Sequence, residues 1–494
     1  MKNIPEVKLG LVAVSRDCFV ITLSERRRHD LAEAFRAAGG EIEEIMTTVE
    51  NEKDMQKAVA EANEKGVNAL VVLLGNFGPE TPETLIAKYF AGPAMYIASA
   101  EEGDRNLFDD RGDAYCGMLN CSYNLGLRHI RAFIPSYPVV TAKEGAKLVA
   151  EFIPMATALL GLQSLKIITF GPRPYDFFAC NAPIKALYDL GVEIQENSEL
   201  DLLVSYKAHR GDDRAKAVAA EMAAELGAKG NTWPDFLLRM AEYELTLLDW
   251  AEANKGASKY VVFANKCWPA FPEQFGFEPC YVNSHLTSKG IPVACEVDIY
   301  GALSEYIGTC VSGGSVTLLD INNSVPQNIY DEDIKGRFDY DITETFMGFH
   351  CGNTPMERLS DGKLSYQLIM HRLLEKGDPD FTRGTLGGDI APGEITFFRL
   401  QSAADTTLHA YVAEGEVLPV PTRSFGGIGV FAIREMKRFY RHVLIEKRFP
   451  HHGAVAFGHH GKILFDLFRL LGCNDVEYNR PRSERYPSEN PFGR

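Results

Sequence analysis

Three groups in this sequence have the chemistry and placement to share one cation. Glu296 ends the run Ile-Pro-Val-Ala-Cys-Glu and Asp320 ends Ser-Val-Thr-Leu-Leu-Asp, so two strand-like segments each finish on a carboxylate. Carboxylates held close together repel unless a proton or a cation lies between them, and a divalent metal is the simplest resolution. The same residues would also serve as favourable charges at the N-termini of following helices. Imidazole comes from farther along, where His451, His452, His459 and His460 place four of the twelve histidines within ten residues. Imidazole with carboxylates suits Mn2+ or a similar first-row ion, whereas carboxylates alone lean towards Mg2+. Neighbouring residues on a strand point to opposite faces, so one histidine of each pair is expected to meet a given site. His459 is the alternative ligand.

These groups need a scaffold. Between Glu296 and Asp320 lie a helix-like run and a Gly313-Gly314 turn. A strand, helix, strand unit crosses over with right-handed chirality, which predicts both carboxylates at one edge of a shared parallel sheet, where open α/β folds bind ligands. Upstream, β-rich runs at 8–14, 41–45, 69–74 and 94–98 alternate with helical spacing at 30–38, 53–65 and 81–89. That alternation predicts a parallel sheet covered by helices. A helical stretch at 142–160 leads to a second set, with strands at 166–170, 192–195, 260–264, 291–295 and 315–319 and a long helix at 235–254. Beyond about residue 350, Gly387-Gly388, Pro392-Gly393 and Gly426-Gly427 punctuate short runs at 394–400 and 408–412, the texture of an antiparallel sheet. The predicted fold is two tandem Rossmann-like parallel α/β domains, 1–162 and 163–348, followed by a mainly antiparallel β domain with helices, 349–494.

Composition narrows the function. A net charge of -16 excludes a general nucleic-acid binder, and 46% hydrophobic with 24% charged residues excludes a largely disordered chain. The one basic cluster, Arg26-Arg27-Arg28-His29, reads as a solvated helix start. Ten cysteines without a CxxC pair read as reduced and mostly buried. The first residues lack a signal-peptide core and no run of 18 apolar residues occurs, so the expected location is the cytoplasm, away from membranes.

The segment Cys295-Glu296-Val297-Asp298-Ile299-Tyr300-Gly301-Ala302, with Asp320 downstream, resembles the metal and proton-transfer segment of L-fucose isomerases. His451-His452-Gly453 is similar to the Asn-His-Gly of that family and to the His-His-Thr of L-arabinose isomerases. Softer likenesses are Lys266-Cys267-Trp268-Pro269-Ala270-Phe271 and His350-Cys351-Gly352-Asn353. The resemblance implies an aldose–ketose isomerase holding Mn2+ through Glu296, Asp320 and His452, with the two carboxylates also moving the proton. It further implies a homohexamer with active sites between subunits, in which Arg16 reaches the sugar in a neighbour. Candidate sugar contacts are Arg16, Trp268, His350, His451 and Asn353, and Arg173 in the Gly171-to-Pro174 loop could meet an anionic substrate.

The metal would chelate the carbonyl oxygen and the adjacent hydroxyl, stabilising the developing enediolate and holding the open sugar in place. A pentose or deoxyhexose is the expected substrate, with a C6-modified anionic hexose such as sulfoquinovose as the alternative. An epimerase or aldolase would use the same groups. A non-catalytic sugar-binding protein is the rival of another class, one with no reason to hold manganese.

Overall fold

The computed structural model describes residues 3–370 and 382–492 of the chain. Contacts divide it into two units, Pro5–Leu160 and a second that runs from Gly161 onward and includes Asn3 and Ile4.

In the first unit β1 (Leu9–Val14), β2 (Glu43–Val49), β3 (Ala69–Leu74), β4 (Ala94–Ser99) and β5 (Val139–Val140) form one parallel sheet, ordered β2-β1-β3-β4-β5. β1, β3 and β4 are buried along their whole length. Strands covered on both faces read as unbroken apolar runs, which is why these were legible. The basic cluster is not a solvated helix start. It lies inside the helix Ile21–Ala37, where Arg27 and Arg28 are buried. Arg27 donates to Gly75 O and pairs with Glu101 and Glu102, and Arg28 pairs with Glu44. Glutamates supplied from outside the helix make that burial tolerable. The helix Ala114–Leu127 went unanticipated; it carries no charged residue to mark a solvent face. Ala142–Leu162 is the one helix among the described residues long and apolar enough to cross a membrane, and 56% of its apolar window is buried within the protein.

The second unit contains two sheets. β6 (Leu165–Gly171), β7 (Glu193–Ser198), β8 (Tyr260–Asn265) and β9 (Val293–Cys295) are parallel, ordered β7-β6-β8-β9. The other sheet comprises β10 (Val316–Ser324), β11 (Thr345–His350), β12 (Lys363–Tyr366), β13 (Arg383–Asp389), β14 (Gly393–Ser402), β15 (Leu408–Leu418), β16 (Gly427–Ala432), β17 (His452–Phe457) and β18 (Val476–Tyr478). Its order is β12-β13-β16-β11-β10-β17-β14-β15-β18, mostly antiparallel. Because β15 also pairs with β16, the strands β16-β11-β10-β17-β14-β15 close into a six-stranded antiparallel barrel with no free edge. Phe346, Phe397, Tyr411 and Phe431, from four of those strands, pack ring against ring as one buried cluster.

The helix Ile299–Ser312, buried from Tyr300 to Val311, connects β9 to β10. The expected crossover is not made, because β10 leaves the parallel sheet and joins the barrel, antiparallel to β11 and β17. Glu296 and Asp320 therefore do not share a sheet edge. β10 takes its partners from residues far along the chain, which no local pattern encodes. Of the ten cysteines, all free, seven are buried, with Cys18 and Cys116 exposed.

Candidate metal centre

At the end of β9 the backbone turns sharply: Glu296 and Val297 each take a left-handed conformation, φ 60°. For a β-branched valine this costs about 1–3 kcal/mol, and it persists only where the surroundings dictate it. Asp298 then caps the helix Ile299–Ser312 by accepting the Gly301 N–H, and a Cβ on Gly301 would strike the Asp298 carboxylate at 2.6 Å. The turn separates two carboxylates. Glu296 lines a cavity of about 400 Å3, whereas Asp298 is buried against Arg399 and His452.

His452 opens β17 and pairs directly with Asp320 across the ladder. Its Nε2 lies 3.2 Å from Asp320 Oδ1 and 3.4 Å from Glu296 Oε2. Neither approach has hydrogen-bond geometry, so Asp320 Oδ1 and His452 Nε2 are both buried without a hydrogen-bond partner among the described residues. Native proteins rarely leave such atoms bare, and a divalent cation between them would satisfy both. The donor set, two carboxylates with imidazole, fits a first-row ion.

The imidazole is held from behind. His452 Nδ1 lies 2.8 Å from Asp298 Oδ2, and Arg399 donates two hydrogen bonds of 2.8 Å to the same carboxylate. Arg399 also donates to His452 O and Gln401 Oε1. With its Nδ1 proton given to Asp298, His452 presents Nε2 to the carboxylates, the arrangement that orients a ligating histidine.

His350 ends β11 beside Asp320, and its Nδ1 accepts the Cys351 N–H at 2.9 Å, leaving Nε2 for a ligand. Asp320, His350 and His452 offer ligand atoms within 4.8 Å of one another, as do Glu296, His451 and His452. The expectation that one histidine of the pair would face away is overturned. His451 precedes the strand rather than lying on it, so alternation does not apply, and its Nε2 is 3.5 Å from Asp320 Oδ1. Trp268 donates Nε1–H to Glu296 Oε1 at 2.9 Å and lines the cavity. Asn353 is buried, with Oδ1 unpartnered among the described residues. His459 lies past the far end of β17 and meets Gly415 O, outside the ligand groups. Arg173 donates to Asn181. Arg16 belongs to the first unit, where its N–H meets Asn76 Oδ1 and its guanidinium lies over Phe77.

Charge follows from this packing. Burial opposes ionisation of Asp320, but His452, His350 and His451 outweigh it and bring the carboxyl down to about 2. Glu296 is lowered likewise, with burial outweighed by His452, His350 and Trp268. Burial lowers the His350 imidazole below its ordinary value, which favours the neutral, ligating form. His452 moves the other way: burial disfavours its cation, but Asp298, Asp320, Cys180 and Glu296 raise it well above.

Sequence reasoning gave no role to Asp298 or Arg399. The signal for Arg399 was present: one charge within Phe397-Phe398-Arg399-Leu400, a buried strand, demands a buried partner.

Residues 10–163 match the family model described as fucose/sulfoquinovose isomerase, N-terminal domain, and residues 348–478 match that of L-fucose isomerase, C-terminal domain. The chain belongs to the fucose isomerase-like family. This fucose isomerase-like protein is 24% identical over 324 residues to a sulfoquinovose isomerase of Alkalicoccus urumqiensis, covering 64% of this chain and 65% of that one. It is 30% identical over 275 residues to a sulfoquinovose isomerase of Clostridium sp. (strain MSTE9), covering 54% of each. With that of Priestia megaterium it shares 26% over 331 residues, 65% of this chain and 66% of the other. The matches thus span less than two thirds of each relative's length. Glu296 and Asp320 fall between the two family matches, and His452 lies within the second.

Proposed function

We propose that this fucose isomerase-like protein is a divalent-metal-dependent aldose–ketose isomerase, with Glu296, Asp320 and His452 holding the ion. The observation that carries the reading is the bare, buried pair Asp320 Oδ1 and His452 Nε2, with Glu296 Oε2 alongside. His350 and His451 stand close enough to add a ligand or a sugar contact. A bound cation, Mn2+ by family likeness, supplies Lewis acidity at the carbonyl and neighbouring hydroxyl oxygens of an open-chain sugar.

The chain's own groups do the rest. Both site carboxyls titrate below the ordinary carboxylate range, so both are ionised at neutral pH and either can accept a proton. One of Glu296 and Asp320 takes the proton from the carbon beside the carbonyl; a carboxylic acid of the pair returns one to the former carbonyl carbon. Trp268 holds Glu296 in place through Nε1–H. Asp298 and Arg399 fix the imidazole.

The relatives' names support sulfoquinovose, a C6-sulfonated hexose, as the substrate; a pentose or deoxyhexose is the second reading, favoured by a cavity whose described lining has no lysine or arginine. Cytoplasmic location, a homohexamer, a three-domain division near residues 162 and 348, and sugar contacts from Arg16, Trp268 and Asn353 complete the proposal. The test is ketose formation from neutral and anionic aldoses with added Mn2+. Turnover by the wild type, abolished in Glu296→Gln and Asp320→Asn, is expected; full turnover in either variant refutes the assignment.

A further inference from the structure

The cavity beside the metal centre contains a second bare oxygen that an ion there does not explain. Glu278 lines the same cavity as Glu296, Asp320, His350 and His451. It is 1% exposed, and its Oε1 has no hydrogen-bond partner among the described residues. Its backbone is fixed: Glu278 N–H donates to Arg383 O at 2.6 Å, and a Cβ on Gly384 would strike Glu278 O at 2.3 Å. Gly384 is thereby kept small so that β13 can close on this residue.

We infer that Glu278 is a specificity-determining residue, a carboxylic acid that hydrogen-bonds a hydroxyl on the sugar carbons beyond the reacting pair. The inference rests on the isomerase reading of the same cavity and deepens it. Burial, with no cation against it among the described residues, pushes the Glu278 carboxyl well above its ordinary value, which favours the protonated form. A protonated carboxyl offers one donor and an acceptor, the complement of an alcohol. The described lining that it shares includes the uncharged side chains of Cys267, Cys280, Cys351, Ile369 and Gln367. A cavity of about 400 Å3 is of the size that takes a small sugar. Held by the metal centre, the sugar would extend a hydroxyl to Glu278 within the same cavity.

The test compares wild type, Glu278→Leu and Glu278→Gln on the best aldose of the Mn2+ panel and on its monodeoxy analogues at C3, C4 and C5. Glu278→Leu is expected to raise KM about tenfold for the parent aldose, the size of one neutral hydrogen bond, with kcat within about twofold. For one monodeoxy analogue the wild type should already show that loss, and Glu278→Leu should add nothing. Glu278→Gln keeps a donor and an acceptor and should recover most of the affinity. Mn2+ affinity, measured by calorimetry, should be the same in all three proteins. A Leu variant with wild-type KM on every sugar overturns the inference. So does an equal loss on the parent and all analogues, or a Gln variant as poor as Leu, because each marks collapse of the cavity wall rather than a lost contact. Absence of ketose from every aldose with the wild type would instead sink the isomerase reading itself, and this inference with it.

Discussion

Replacing Arg399 separates two roles that the Arg399, Asp298, His452 chain combines. Arg399 and Asp298 are each 1% exposed and share two hydrogen bonds. Arg399→Met takes the guanidinium from the buried Asp298 carboxylate and leaves it only the His452 imidazole, and breaking such a pair from one side costs up to about 3–5 kcal/mol. The second substitution, Asp298→Leu in the same chain, removes the stranded charge and should return most of that loss, less about 1 kcal/mol for the missing helix cap at Gly301 N. It does not restore the support of His452, whose Nδ1 would retain only Cys180 Sγ at 3.6 Å. Mn2+ affinity is therefore expected to stay about 10–100-fold below wild type in the double variant, the usual cost of losing the partner of a ligating histidine. Trp233, Trp250 and Trp268 are the three tryptophans of the chain, and all lie in the second unit. Urea unfolding followed by their fluorescence thus reports on that unit, while calorimetry reports on the ion. A double variant that binds Mn2+ like wild type would refute the positioning argument. A single variant destabilised by less than about 1 kcal/mol would refute the burial argument.

Three further outcomes follow from the same structure. Gly453→Ala would push a methyl against Phe397 Cζ at 2.3 Å and Tyr411 Oη at 2.5 Å, so a loss of about 1–3 kcal/mol in urea unfolding is expected, together with weaker Mn2+ binding through its neighbour His452. Glu83, buried in the first unit, has its carboxyl raised from 4.5 to about 8, chiefly by burial. Folding there takes up a proton between those two values, so stability falls as pH rises through that window, by at most about 4–5 kcal/mol. Glu83→Gln should abolish that decline in hydrogen exchange of β3 and β4 measured at pH 5 and pH 8; equal slopes in both proteins would refute it. Finally, His452 is raised well above its ordinary value before an ion binds. Mn2+ binding should therefore release about one proton and tighten as pH rises, and calorimetry in buffers of different ionisation heat would show no such release if the imidazole were already neutral.

The parallel sheets were legible because strands such as Val71, Val72 and Leu73 are buried on both faces, and continuous apolar runs leave a direct trace. Barrel closure was not. It depends on β15 meeting β16 and on β17 entering between β10 and β14, pairings that join distant segments. The same contrast holds at the site. Glu296, Asp320 and His452 could be named from residue type and motif, but the reason they meet was misjudged: Asp320 reaches His452 by antiparallel pairing, while Glu296 arrives from another sheet by a strained turn. His451 was misread because strand alternation was applied one residue beyond the strand. Arg27 and Arg28 were misread because their glutamate partners come from elsewhere in the first unit.

A turn that forces Glu296 and Val297 into left-handed backbone has a consequence for how the protein can be assembled. The proposed ligands come from the residue that follows β9 and from two neighbouring staves of a closed cylinder, so no partial chain that stops before His452 possesses all three. Where these residues hold the ion, metal uptake becomes a certificate of completed folding, because a chain whose barrel has not closed leaves the same acids and imidazole apart.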